Sequence, residues 1–480
     1  MSVSLRPYGS NSPDSGYIAW TPVPLVVANA ASGTVGTLRL NSRSAAGSAA
    51  KVVFLEDRNR PPQSEIEVAL RAGEERRIFI AGAFQPGERH NGASADGKDV
   101  TIEARWVHDS ATVVASVEIM IRVRRNANDL SDQARKDFLF ALAKLNGIDD
   151  PVLRPGLGIY VTDFVAMHVE GAIGSEHGDS HFLPWHRLYL LDLERQLQAV
   201  RPTVTLPYWR FDKAAPRLFT EDFMGAMDQI PRDSRQPGGA LDSGAATPPA
   251  RFALDNPLSR WQIGDVQGIP RTARFNPQND AANGLILVQP STGRVIDFLL
   301  IDEDATLRLG GGVLPEQAKL GSSAPPASGF ARMEGSPHGA AHMSFNGRIN
   351  NVPIAPEDPL FFLLHCNVDR LWAVWQSMFK RDDQNDTRTY PYQKAGDAAP
   401  WEIIDARQWP WDGGTSQPGS LLPPGTRKEN FARSDLVVNF PNNSPRLGNA
   451  IDPYATHDPD HYLGFGYDDV PYNHVDPPVS

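Results

Sequence analysis

Two histidine-bearing stretches constrain this chain more than any other feature. Residues 167–194 read MHVEGAIGSEHGDSHFLPWHRLYLLDLE and residues 334–376 read EGSPHGAAHMSFNGRINNVPIAPEDPLFFLLHCNVDRLWAVWQ; together they hold seven of the 12 histidines in 480 residues. Histidine so concentrated asks for a cause. The one the pattern favours is a pair of metal ions, each held by three imidazoles, which requires the two stretches to meet in space.

In the second stretch His338 and His342 are four residues apart, so on a helix both imidazoles lie on one face, a turn apart. His365 belongs to another helix, which Asp358 caps and Pro359 opens, followed by the apolar run Leu360, Phe361, Phe362 and Leu363. In the first stretch His186 follows Pro184 at the start of a helix whose Leu190, Leu193 and Leu197 share its face, ending near Arg201-Pro202. His168 closes a preceding helical stretch four residues after Phe164, and His177 lies in a Gly-rich loop able to fold it back. A single buried histidine is more often a satisfied core residue than a ligand, but six at paired spacings reverse that reading. With no cysteine cluster and no carboxylate interleaved at ligand positions, zinc-finger and carboxylate-rich di-iron sites are disfavoured. Imidazole suits copper, zinc, iron and nickel, which leaves copper and zinc open. An all-nitrogen site without an anionic ligand favours a low-charge Cu(I) pair able to pass one electron each to O2.

The rest of the chain sets the frame. Its length predicts two or three folding units. Segments 51–55, 66–70, 77–80, 101–107 and 113–124 carry valine, isoleucine and aromatic residues between Gly, Pro, Asn and Asp turns, which predicts an N-terminal all-β sandwich or barrel over residues 1–127. In 113–124 the alternation puts Val117, Ile119, Ile121 and Val123 inward and Arg122 and Arg124 outward. His90 and His108 stand alone there as surface residues. Ser131 caps a helix carrying Phe138, Leu139, Leu142 and Leu145, which Asn146-Gly147 ends. From there to about 415 a mainly α domain is expected, with Pro/Gly-rich passages at 231–257 and 310–337 too polar to be core. Residues 416–480 read as an irregular extension with one strand-like piece at 436–440. A net charge of -11 argues against nucleic-acid or anionic-membrane partners. The start shows no signal sequence and no stretch is long and apolar enough to span a membrane, so a cytoplasmic location is expected. The single cysteine, Cys366, excludes an internal disulfide and reads as a small buried filler.

The runs HFLPWHRLYLLDLE and PHGAAH…APEDPLFFLLHCNVDRLWAVWQ closely resemble the two copper-binding signatures of the type-3 copper family of tyrosinases, catechol oxidases and polyphenol oxidases. LPYWRF at 206–211 resembles the segment following the first signature, and LGFGYDD at 463–469 the tyrosine motif that closes the family's catalytic core. The resemblance spans about residues 131–469. It implies a four-helix bundle holding two copper ions that bind O2 and oxidise phenolic rings. One copper would take His168, His177 and His186, the other His338, His342 and His365. His181, four residues after His177, competes for the first site, although the spacing from His177 to His186 matches the family better.

The same resemblance assigns neighbours. Asp369 and Arg187 are placed as an outer shell for the ligands, Glu334 matches the glutamate that holds a water for phenol deprotonation, and Met343, Val352 and Phe361 match positions lining the substrate entrance. Tyrosinases that hydroxylate monophenols often carry asparagine after the first histidine of the second site. Gly339 stands there, so oxidation of o-diphenols or o-aminophenols to quinones is expected to exceed monophenol hydroxylation. The β domain ahead of the core resembles the arrangement in a bacterial member that acts on a peptide-bound phenol in metabolite maturation, which makes such a substrate an alternative expectation. The rival is a dioxygen-binding protein of haemocyanin type without turnover. O2 and a phenolic small molecule are the expected partners, and a homo-oligomer and a copper-delivery partner are compatible with the sequence. The aromatic tail after Asp469 is a candidate lid over the pocket.

Overall fold

The computed structural model describes residues 3–9, 16–30, 35–46, 50–58, 60–83, 99–173, 177, 181–229, 247–282, 287–288, 295–296, 319–321, 329–335, 337–391, 403–411, 445–453, 457 and 462–470. The period-2 patterning of the first part forms strands β1 (Val3–Pro7), β2 (Tyr17–Ile18), β3 (Val23–Asn29), β4 (Gly36–Ser44), β5 (Lys51–Leu55), β6 (Glu65–Leu70), β7 (Glu75–Ala83), β8 (Val100–Trp106) and β9 (Asp109–Ile121). They make two sheets, ordered β1-β3-β7-β5 and β2-β9-β8-β4-β6, antiparallel except for the short β2–β9 pair. Leu25, Phe54 and Ile80 of one sheet and Leu38, Leu40, Ile102 and Ile119 of the other share one buried core, so the unit is a sandwich.

The end of β9 departs from the sequence pattern. The strand stops at Ile121, and Arg122 and Arg124 are 4% and 1% exposed instead of facing solvent. Here the chain leaves the sandwich against the helical part, where Arg122 pairs with Asp99 and Arg124 with Glu194 and Asp369. His108 is exposed and stacks on Trp106, whereas His90 lies outside the described residues.

Helix α1 (Asp132–Asn146) begins where the Ser131 hydroxyl accepts the Ala134 N–H at 3.2 Å and ends at Gly147, whose φ of 92° lets its N–H reach the last carbonyls. A π-helical turn, Tyr160–Val165, leads into α2 (Ala166–Ile173). Then come α3 (Phe182–Val200), α4 (His338–His342), α5 (Leu360–Phe379) and the short α6 (Leu447–Ile451). Asp358 accepts the Leu360 N–H at 3.0 Å and pairs with buried Arg271, fixing the start of α5. Helices α1, α5 and α6 all pack on α3. Residues 182–198 are consequently buried all round, beyond the leucine stripe that the sequence singles out. Its polar groups survive there because they are paired: Asp192 accepts from Trp411, Glu194 from Arg124 and the Leu206 N–H, and Arg195 donates to Gln198.

Two expectations change. Leu320, Ala331 and Met333 fall within a passage read as too polar for core, yet they are buried in the helical core. The described parts of 416–480 are built into the fold: Leu447, Ile451, Leu463, Phe465 and Tyr467 join the helical core, while Tyr462 joins the sandwich core. The segment 462–470 lies between the two units, with Tyr467 accepting from Trp20 Nε1 through its carbonyl and Gly466 accepting the Arg124 N–H. The strand-like piece 436–440 and the tail 471–480 lie outside the described residues. Among the described residues no helix is long and apolar enough to cross a membrane.

Candidate metal centre

Two groups of three imidazoles converge in the helical core. His168, His177 and His186 form one and His338, His342 and His365 the other; in each, ligand atoms lie within 4.8 Å of one another. His168 stands in the first turn of α2 rather than closing a helix, directly after the π-helical turn. His186 comes from the second turn of α3, and His177 from the connection between α2 and α3, its ring centroid 5.1 Å from both partners. His338 and His342 are the two ends of α4, and His365 lies in α5. The groups abut, since the His186 and His365 rings stack with centroids 4.5 Å apart.

Main-chain carbonyls set the tautomers. The Nδ1 of His168 donates to Pro353 O at 3.2 Å, that of His186 to Phe182 O at 2.7 Å, that of His338 to Glu334 O at 2.8 Å and that of His342 to Ile349 O at 2.6 Å. A carbonyl only accepts, so each Nδ1 carries the proton and each Nε2 is left with a lone pair. The Nε2 atoms of His338 and His342 each lie 3.1 Å from His365 Nε2, which can donate to one of them at most. The buried Nε2 atoms of His168 and His186, and the Nδ1 atoms of His177 and His365, have no hydrogen-bond partner among the described residues. Burial, reinforced by the neighbouring imidazoles, drives the His168 pKa down to about 3 and holds His177, His186, His338 and His365 well below the ordinary imidazole value. Burial alone takes His342 to about 4. The convergent lone pairs of the four oriented rings, joined by the buried His177 and His365 rings, are what a pair of cations would satisfy, so the residues present fit the metals that the donor set implies.

His181 is directed elsewhere. Its Nε2 meets Gln408 Oε1 in a close hydrogen bond, outside both groups of three. Asp369 and Arg187 also differ from the outer-shell expectation. Arg187 Nε donates to Asp369 at 2.6 Å, and that carboxylate further accepts from Arg124 at 3.1 Å and from the Tyr467 hydroxyl at 2.5 Å. Among the described residues no imidazole donates to it; carbonyls do the orienting, and Asp369 instead ties α5 to α3, to the exit from the sandwich and to the segment 462–470. The Arg187 guanidinium also lies 3.7 Å from the Trp372 ring centroid.

Glu334 touches the site through its carbonyl, and Gly339 is helical, with Glu334 O the nearest atom to an added Cβ, at 3.4 Å. Met343 and Val352 are half-exposed, at 50% and 49%. Phe361 is buried at 1%, its ring 4.0 Å from that of His365 and 4.7 Å from that of His168, so it is a wall between the groups and not part of an open entrance. Phe182, which carries no expectation from the sequence, has its ring 4.5 Å from that of His186 and 4.9 Å from that of His338. Its position one turn before His186 was the available signal. Gln408, far along the chain, offered none. Cys366 is buried, with its thiol toward the Leu206 carbonyl and burial pushing its pKa up.

The sequence profile of the common central domain of tyrosinase matches residues 160–378, which contain all six clustered histidines. The grixazone synthase of Streptomyces griseus is 28% identical over 332 residues, covering 63% of this chain and 97% of that protein. A tyrosinase from Streptomyces glaucescens is 28% identical over 269 residues, covering 53% of this chain and 82% of that protein. Among solved structures, a polyphenol oxidase variant from Thermothelomyces thermophila aligns over 72% of this chain and 88% of its own, at 19% identity and a TM-score of 0.39, a likeness too slight to carry an argument. Residues 160–378 therefore match the common central domain of tyrosinase, and both groups of three histidines lie within that match.

Proposed function

We propose that the chain is a copper-dependent oxidase that uses O2 to convert o-diphenols, and o-aminophenols as a neighbouring class, to quinones. The observation that carries this reading is the pair of abutting groups of neutral imidazoles with their lone pairs turned inward. His168, His177 and His186 would hold one copper and His338, His342 and His365 the other, with His168, His186 and His365 on α2, α3 and α5, His338 and His342 on α4 and His177 in the connection from α2 to α3. Two bound copper ions supply a place for O2 and take the two electrons that a diphenol loses.

This chain's own residues do the rest. Carbonyls of Phe182, Glu334, Ile349 and Pro353 keep four imidazoles in the tautomer whose Nε2 can bind metal. Phe182 and Phe361 fill the space around the groups and exclude water from it. Met343 and Val352 give a phenolic ring an apolar, accessible approach. Glu334 is assigned to hold the water that takes the phenol proton. Gly339 brings no side-chain amide to share that water, which favours diphenols, whose first hydroxyl is the more acidic, over monophenols.

The test is to load the full chain with copper, count the metal, look for an oxygen-dependent near-ultraviolet band, and compare catechol, o-aminophenol and tyrosine turnover in one sample. Two coppers, the band and catechol turnover are expected. Oxygen binding without turnover would make the protein a carrier, and tyrosine hydroxylation as fast as diphenol oxidation, without a lag, would refute the assignment of Gly339.

A further inference from the structure

The two groups of histidines share one piece of main chain. Ile349 O holds Nδ1 of His342, in the second group, and Pro353 O, four residues on, holds Nδ1 of His168, in the first. The other two oriented rings use carbonyls four residues back, His186 that of Phe182 on its own helix and His338 that of Glu334 in the 3-10 turn Phe330–Glu334 just before α4. Segment 349–353 is therefore a bracket holding one imidazole of each group.

The bracket is stiff. Pro353 and Pro356 fix two φ angles within the 3-10 turn Val352–Glu357. The Tyr160 hydroxyl donates to Pro356 O at 2.7 Å and Trp261 Nε1 to Glu357 O at 3.1 Å. Arg348 pairs with Glu357 across the segment, and the Ile354 N–H returns to Asn351 O at 3.1 Å. A displacement of one carbonyl is thus passed to the other.

We infer that this bracket couples the two groups, so that a metal ion seated at His342 fixes the Pro353 carbonyl and orders His168 for the second ion, making metal loading cooperative. Tyr160 and Trp261 are then positioning residues, acting through the bracket. The inference rests on the reading of the six imidazoles as a metal centre, and the test separates the two.

Copper(I) alone, under argon and without phenol, is titrated into the metal-free full chain, and species with none, one and two ions are counted by native mass spectrometry. Independent sites leave about half or more of the molecules with one ion at half-saturation, whereas a tenfold coupling lowers that share to about a quarter. We expect a share near a quarter for the parent and near half for Tyr160→Phe, which removes one hydroxyl from the bracket. Tyr189→Phe, which removes the 2.6 Å bond to Phe164 O and leaves the bracket alone, should stay with the parent. The second readout is nitrogen-15 NMR of the metal-free chain: the Nδ1–H signals of His168 and His342 should lose exchange protection together in Tyr160→Phe, while those of His186 and His338 keep it. A one-ion share of half or more in the parent overturns the coupling while leaving a metal centre intact. Loss of protection at His168 alone overturns the bracket. A chain that takes up no copper refutes the metal reading itself.

Discussion

Arg124 carries the heaviest testable consequence of this fold. It comes from the exit of the β-sandwich, yet it is fully buried between Glu194 of α3, at 2.8 Å, and Asp369 of α5, at 3.1 Å, one helical turn from His365. Replacing it by methionine strips the two carboxylates unequally. Asp369 keeps Arg187 and the Tyr467 hydroxyl, while among the described residues Glu194 keeps only the Leu206 N–H at 2.9 Å. The cost is thus one nearly unpaired buried carboxylate, about 3–5 kcal/mol. At the roughly 1.5 °C per kcal/mol appropriate to a helical part of this size, melting should fall by about 5–7 °C. Adding Glu194→Gln discharges the orphan while keeping an oxygen for the Leu206 N–H, so the double variant should recover about half of the loss. Arg124→Lys should fall between, because an ammonium lacks the fork that spans both carboxylates. Differential scanning fluorimetry of the four metal-free proteins reads this directly. A drop under about 1 °C in Arg124→Met, or no relief from Glu194→Gln, would refute the account of Arg124 as the charge that neutralises α3 and α5.

The remaining predictions concern the site. His177→Ala should bind one copper and His181→Ala two, by metal analysis; the reverse would exchange their roles. Gly339→Asn fits the backbone, since the nearest atom to its Cβ is 3.4 Å away, and should raise tyrosine turnover relative to catechol turnover by about tenfold, the worth of one hydrogen bond of roughly 1.4 kcal/mol. The metal-free protein should lose stability as pH falls from about 6.5 toward 4. The unfolded chain takes up protons there, while His168 and His342, held by burial to about 3 and about 4, do not. Each contributes up to about 1.4 kcal/mol per pH unit. Asp468, raised by burial to about 6, works in the opposite direction, and Asp468→Asn should therefore steepen the loss in a melting-temperature scan.

Much of this protein was legible because it is local. Alternation over a few residues specifies strands such as Glu65–Leu70, Ser131 and Gly147 mark the ends of α1, and the spacing of His338 and His342 puts two imidazoles on one helical face. These signals act over one turn or one pleat, so the chain alone carries them, and the family signatures built from them mark the two histidine-bearing stretches. What the sequence left open depends on partners far along the chain. The choice between His177 and His181 turns on Gln408, 227 residues from His181. The role of Asp369 turns on Arg124, 245 residues away, whose place in an alternating strand marks it for solvent. The link between the two groups of histidines runs through carbonyls of Ile349 and Pro353, and a carbonyl is present at every residue, so no side-chain pattern announces it. Tertiary structure decided these because buried charges and ring nitrogens take whichever partner the packing brings within about 3 Å.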